Sequence, residues 1–245
     1  MNRRQIEEYQ VMMVDRVRME AYRRAIRAVC PGKVVCEIGV GLAPLSLMAL
    51  EAGASKVYAV ELSAEALEMA TRVVSDNGYG PDRFIPVQGL STKVELPERV
   101  DVLLSETLDS MGIGENTAIY MADARARLMA PDAVFLPAAL ACHVALASPE
   151  AYQTSMAFWT ETLPSDYGMR YGAVAEAFKD CKHTIPVATD ELHSGWVPWQ
   201  RIDFLDDATY RRMVPMVVPV ARPGTILGFA TAFDARLSDG VHIKT

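Results

Sequence analysis

Between about residues 33 and 137 the chain alternates short, almost wholly apolar runs with longer segments of helical spacing. The runs are VVCEIGVG from Val34, KVYAVEL from Lys56, RFIPVQG from Arg83, VDVLLSE from Val100 and AVFLP from Ala133. A strand with one wet face alternates apolar and polar residues; a run that is apolar throughout needs cover on both faces. Parallel strands with helical crossovers supply that cover. APLSLMALEAG reads as such a helix, stopped by Gly53. SAEALEMATRVVSDNG has Ser63 placed as N-cap, Glu65 in the first turn and apolar residues at 67, 70 and 74 for one face, and it ends at Asn77-Gly78. TAIYMADARARLMA reads as a third helix. The pattern predicts a doubly wound α/β domain, whose ligands bind beyond the C-terminal ends of the strands. Gly39, Gly41, Glu61 and Glu106 all fall there.

The flanks differ. Residues 3–29 are rich in Glu, Arg, Met and Ala, and Val14, Val17 and Ala21 or Tyr22 follow helical spacing. One or two helices are expected there, broken by PGK at 31–33. After about 138, ALACHVALA reads as a strand, and residues from SPEAYQ to AEAFKDC as helix broken by loops. GWVPWQRIDFL, MVPMVVPVA and TILGFATAFDARL read as antiparallel strands, with Pro215 and Pro219 demoting part of the middle one to an edge. The expected organisation is N-terminal helices over 1–30, the doubly wound domain over 31–138 and a smaller β-rich region over 139–245.

Composition removes several function classes. With 245 residues, 51% of them hydrophobic, the chain can bury a sizeable core. It has no apolar run of about 18 residues, so no membrane span is expected, and MNRRQIEEYQ lacks the apolar centre of a signal peptide. Cys30, Cys36, Cys142 and Cys181 are scattered, which predicts reduced, mostly buried thiols and a cytoplasmic protein. The four histidines are scattered too, and no metal site is expected. A formal net charge of −7 argues against a nucleic-acid surface and is compatible with a cationic substrate.

Two local patterns carry chemistry. EIGVGLAP is G-x-G-x-x-P between a strand and a helix, a tight turn whose backbone a ligand can approach. A dinucleotide fingerprint wants a third glycine where Pro44 stands, so a pyrophosphate fits poorly. Twenty positions beyond Gly41, the second strand ends at Glu61, where a carboxylate can accept from both hydroxyls of a ribose. A nucleoside cofactor without phosphates is expected, which suggests S-adenosylmethionine. The second pattern is LLSETLDSMGIGEN, residues 103–116. Glu106 and Glu115 stand nine positions apart with Gly112 and Gly114 between them, and a loop that bends at the glycines brings both carboxylates to one place. The bland reading of the pair is two solvated loop acids.

Together these segments resemble the protein arginine N-methyltransferases. VVCEIGVGLAPLSLMALEAGASKVYAVELS is similar to the family's cofactor segment, and MMVDRVRMEAY resembles its M-L-x-D-x-x-R-x-x-x-Y stretch. SETLDSMGIGEN resembles its double-glutamate loop in the E-x-x-D-x-x-x-I-G-E form of the monomethylating, type III-like branch, and ILGFATAFDARLSDG resembles a barrel strand. The resemblance implies a Rossmann-like S-adenosylmethionine domain followed by a smaller barrel-like region, whole or incomplete, in a shortened, bacterial-type chain, with a helical dimerisation arm at about 149–180; Ala157-Phe158-Trp159 would be its contact or else core aromatics. It implies that Arg18 pairs with the cofactor carboxylate and Glu37 lies near its amino group. Gly39 and Gly41 would let it lie close, and Glu61 would hold the ribose. Leu90, Ser91 and Thr92 would surround the adenine, with Met12 and Met13 near the sulfonium. Glu106 and Glu115 would clamp and activate a guanidinium. The expected partners are a cationic guanidino substrate in a peptide, protein or small molecule, and a second copy of the chain.

There are departures. Thr107 stands where the family usually has tryptophan, and the sequence stops at Thr245 before the family's Thr-His-Trp loop: either it is cut short or the loop is gone. The family's N-terminal helix is mostly missing. Two other readings stay open: a methyltransferase of the same fold acting on a non-guanidine oxygen or amine, and a non-catalytic partner protein.

Overall fold

A computed structural model of the chain describes residues 3–206 and 215–245. The N-terminal segment forms two helices, α1 (Arg3–Val14) and α2 (Arg16–Val29). Asp15 separates them and caps α2 by accepting from the Arg18 amide at 3.0 Å. α2 buries Ala21, Tyr22, Ala25 and Ile26, where it rests on other elements. Val14 and Val17, placed by spacing on the same face, are 66% and 71% exposed. The apolar stripe begins before the part of the helix that is covered.

Five parallel strands follow the expected runs: β1 (Val34–Ile38), β2 (Lys56–Glu61), β3 (Phe84–Gln88), β4 (Val100–Ser105) and β5 (Met129–Leu136). They lie in the order β3-β2-β1-β4-β5. Val35 pairs with Val57 on one side and Val102 on the other, and all three are buried, as a strand covered on both faces requires. The helices are α3 (Pro44–Glu51), α4 (Ala64–Asp76) and α5 (Thr117–Arg127). Ser63 caps α4, its hydroxyl accepting from the Ala66 amide at 3.3 Å. α5 stops before Leu128 because Met129 already pairs with Val100, so the last residues of the expected helix open β5. The strand order reverses between β1 and β4, which places a crevice at their C-terminal ends.

A second sheet contains β6 (Ala139–Ala147), β7 (Val197–Asp203), β8 (Gly228–Ser238) and β9 (Val241–Lys244), in the order β7-β6-β8-β9. β8 and β9 form an antiparallel hairpin with Ala235 opposite Ile243. The strand expected over MVPMVVPVA is not found. Met213 and Val214 lie outside the described residues, and residues 215–220 form no strand. Pro215 and Pro219 have no N–H to give to a ladder.

The chain forms two compact units. One comprises Met1–Cys142, Gln200–Met213 and Phe233–Thr245; the other comprises His143–Trp199 and Val214–Ala232. The linear division expected at about 138 therefore gives way to an interleaved one. The end of the chain returns to the first unit, where β9 packs on α2 and buries Val241 and Ile243. The second unit carries the helical segment expected at 149–180: α6 (Glu150–Ala157), a π turn over Phe158–Thr162, α7 (Leu163–Tyr167) and α8 (Gly172–Lys179). Tyr152 stacks on Phe178 with centroids 5.7 Å apart. Phe158 is exposed, and Trp159 is half-buried with its ring 6.0 Å from that of Tyr171. Cys30, Cys36 and Cys142 are buried and Cys181 is exposed. Among the described residues no helix is long and apolar enough to cross a membrane, and no cluster of His, Cys, Asp or Glu is placed to hold a metal ion.

Candidate active site

The crevice of the parallel sheet is built from the turns after β1, β2 and β4. Gly39 and Gly41 have φ of 76° and 55°, a conformation in which a side chain is strained. A Cβ at Gly39 would lie 3.0 Å from Thr107 Cγ2, and one at Gly41 would lie 2.5 Å from Tyr9 Cε1. Glu61 joins this turn to the end of β2: Oε2 accepts from the Gly41 amide at 3.1 Å and Oε1 from the Ser63 amide at 2.9 Å. Carboxylate oxygens have lone pairs beyond these two bonds, so hydroxyl donors can still be added. The turn holding Leu90, Ser91 and Thr92 follows directly, because the Gly89 amide donates to the Glu61 carbonyl at 2.9 Å. Arg127 secures it from α5, donating to the carbonyls of Ser91 and Val94 at 2.8 Å each. Ser91 Oγ is buried and finds no hydrogen-bond partner among the described residues.

A cavity of about 50 Å³ is lined by Tyr9, Met12, Arg18, Glu37, Gly39, Gly41 and Glu106, among others. Arg18 Nη1 donates to Glu106 Oε1 at 2.8 Å, and its Nε lies 3.3 Å from Asp15 Oδ2. The two side chains are only 18% and 11% exposed. Burial raises the Glu106 carboxyl above the usual range; the Arg18 charge opposes that and the Glu115 charge adds to it. Glu37 is buried, accepts from Ser46 Oγ, and is pushed up to about 8, chiefly by burial and with Glu61 and Glu106 adding.

This proton on Glu37 has a consequence for stability. Below the unfolded pKa, about 4.3, the group is protonated in both states. As pH rises toward about 8, the unfolded chain ionises while the folded one holds its proton, so stability falls by up to about 1.4 kcal/mol per pH unit. Glu37→Gln keeps an acceptor for Ser46 and removes this slope. Denaturant melts of ligand-free protein should find the variant equal to wild type near the acid limit and increasingly more stable toward pH 8. A constant difference across that window would mean that Glu37 is ionised in the folded protein.

The loop between β4 and α5 is closed at its base. Thr117 Oγ1 donates to the Thr107 carbonyl, and the two threonine hydroxyls lie 3.0 Å apart, with Ser105 Oγ a further 3.0 Å from Thr107. Glu106 stands just before this closure and Glu115 just inside it. Each acts electrostatically on its surroundings here: Glu115 raises both Glu106 and Tyr9. Glu115 is exposed and lies outside the cavity lining. Met13 does not join Met12. It is 41% exposed and lines a separate open depression with Arg16, Val17 and Met48.

Sequence reading missed Tyr9, Asp15, Ser46 and Thr117. Tyr9 and Met12 are three apart on one helix, which puts them on one face. Asp15 ahead of a second helical stretch is an N-cap signal. Nothing in the sequence distinguishes Ser46 or Thr117 from other helical hydroxyls. Thr107, which stands where the family usually has tryptophan, forms part of the loop closure.

No family model matches the chain. It is 34% identical over 198 residues to "Probable protein arginine N-methyltransferase 6" of Arabidopsis thaliana, covering 79% of this chain and 44% of that protein. It is 35% identical over 164 residues to "Probable histone-arginine methyltransferase CARM1" of Oryza sativa subsp. indica, covering 64% and 31%. The chain belongs to the protein arginine N-methyltransferase family. It spans less than half the length of these relatives. Two solved members of the family have the same fold. The Trypanosoma brucei PRMT1 enzyme-prozyme heterotetrameric complex with AdoHcy superposes with a TM-score of 0.78 at 23% identity, over 97% of this chain and 76% of that one. Arabidopsis thaliana protein arginine methyltransferase 10 gives 0.73 at 25% identity, over 94% and 72%.

Proposed function

We propose that this chain transfers a methyl group from S-adenosylmethionine to a guanidino nitrogen of arginine, in a peptide, protein or small molecule. What supports the reading is Glu106, which lines the cavity beside Gly39 and Gly41, and the closed β4–α5 loop, which carries Glu115 close enough for its charge to raise the Glu106 carboxyl. The relative solved with AdoHcy supports the cofactor.

The residues present fit that cofactor. Glu61, at the end of β2, would accept from the ribose hydroxyls, and the turn at Leu90, Ser91 and Thr92 would flank the adenine. Arg18 would hold the carboxylate with N–H groups of its fork not used by Glu106. Glu37 would face the amino group and give up its proton to do so. Met12 lines the cavity; Met13, facing outward, has no role in this reading. Tyr9 of α1 lies directly over the glycine turn, its Cε1 2.5 Å from where a Cβ of Gly41 would stand. α1, which buries no residue, therefore has to move off the glycine turn to admit a nucleoside.

The cofactor supplies a methyl group on a sulfonium. The protein supplies position and charge. Two carboxylates bind a planar guanidinium with paired, charge-assisted hydrogen bonds and fix its rotation. They favour positive charge on the far nitrogens, which leaves electron density on the attacking one. Glu106, with its carboxyl raised, is suited to take the proton that must leave. The E-x-x-D-x-x-x-I-G-E form of the loop points to a monomethylated product. The exposed aromatics of the helical segment support a homodimer, to be read by light scattering as twice the 26.9 kDa chain mass.

Incubation with labelled S-adenosylmethionine and arginine peptides, free arginine, and lysine- and hydroxyl-bearing controls tests the reaction. Label on an ω-nitrogen of arginine is expected; label confined to the controls, or none, overturns it. Glu61→Ala should weaken S-adenosylhomocysteine binding by about 1.5–3 kcal/mol, the scale of a hydrogen bond to a charged group. Calorimetry with unchanged affinity would remove Glu61 from the site.

A further inference from the structure

The β4–α5 loop carries a third carboxylate, and it is turned inward. Asp109 Oδ1 accepts from the Met111 amide at 3.0 Å and from the Gly114 amide at 2.8 Å. The Asp109 carbonyl accepts from the Gly112 amide at 2.8 Å. Gly114 folds so closely over the carboxyl that a Cβ there would lie 2.1 Å from Asp109 Oδ2 and 2.5 Å from Cγ. Gly112, at φ 84°, seats the middle of the loop against its neighbours, its missing Cβ falling 3.2 Å from Phe233 Cβ and 3.4 Å from Cys142 Sγ. The chain from Asp109 to Gly114 is thus wrapped around one side chain.

We infer that Asp109 is a positioning residue: by holding the Gly114 amide it fixes where Glu115 stands relative to Glu106. The inference rests on the role proposed for Glu115. A loop with two glycines has high conformational entropy, and Glu115 follows directly on the second of them. Its base closure at Thr107 and Thr117 fixes the ends and the packing of Gly112 seats the middle, but neither holds the Gly114 amide that leads into Glu115. The Asp109 carboxylate does. A reacting group misplaced by about 1 Å loses up to about a hundredfold in rate, so a fixed loop matters to turnover and not to cofactor affinity.

Asp109→Ala removes the acceptor. Asp109→Asn keeps a side-chain carbonyl that can accept from both amides and removes only the charge. Methyl transfer to an arginine peptide, cofactor affinity and NMR exchange rates of the Met111 and Gly114 amides are measured for both variants and for Gly114→Ala. The expected result is a kcat lowered by about tenfold or more in Asp109→Ala and Gly114→Ala, with cofactor affinity unchanged. Exchange at the two amides accelerates in Asp109→Ala. Asp109→Asn restores both the protection and, to within about threefold, the rate. Full activity in Asp109→Ala, or equal loss in Asp109→Asn, overturns the inference; the latter would mean that the charge itself acts on the substrate. If Asp109→Ala does not fold, Gly114→Ala and the exchange rates of Asp109→Asn decide. If wild type methylates no guanidine, the functional reading fails, while amide exchange still reads the staple.

Discussion

Glu115→Gln is expected to lower the single-turnover rate of methyl transfer to an arginine peptide by about 10²–10³-fold, the usual cost of removing one preorganised electrostatic contact. The amide keeps the size of the side chain and removes the charge that opposes Arg18-paired Glu106 across the loop base. Cofactor affinity should stay close to wild type, because Glu115 lines none of the cavity that holds Arg18, Glu37 and the glycine turn. Glu106→Gln is a less clean test. Glu106 carries the Arg18 guanidinium at 2.8 Å, so its substitution disturbs the cofactor side as well as the substrate side. Near wild-type rates in Glu115→Gln would reduce the pair to solvated loop acids.

Arg18→Ala should weaken S-adenosylhomocysteine binding by about 2–3 kcal/mol, roughly 30- to 150-fold. The loss has two sources. The cofactor carboxylate would lose its fork-shaped partner, and α2 would lose one of its contacts at the end of β4, keeping the Tyr22 hydroxyl bond to the Ser105 carbonyl. A second effect follows on the Glu106 carboxyl. Arg18 is what holds it down against burial and against Glu115. Without that charge the carboxyl rises further, so the acid limb of the rate profile should move to higher pH. Arg18→Lys should recover little, since a point charge cannot serve two carboxylates in the plane of a fork. Unchanged affinity together with an unmoved profile would make Arg18 an ordinary helix residue.

The parallel sheet was legible because each of its strands is covered on both faces and therefore reads as an apolar run bounded by turns. Ser63 and Gly53 were legible because caps and stops act locally. The exposure of Val14 and Val17 was not, because periodicity gives the face of a helix but not how far along it the cover extends. Residues 215–220 mislead for a related reason: Met and Val suit a strand, and the two prolines, four apart, remove the donors a ladder needs. The interleaved units were hidden because a linear reading cannot tell that β9 packs on α2. At the site, Arg18 and Glu106 were each readable, but not their pairing across 88 positions. The same holds for Tyr9 over Gly41, whose contact depends on how α1 crosses the glycine turn.

The central claim is that Glu106 and Glu115 form a receptor for a guanidinium beside the cofactor. Its most direct measurement is the binding of an arginine peptide and of the matching citrulline peptide to protein loaded with S-adenosylhomocysteine. Citrulline keeps the shape and removes the charge. The arginine peptide should bind at least about tenfold tighter, and the difference should collapse in Glu115→Gln. Equal binding of the two peptides to the wild-type protein would contradict the account.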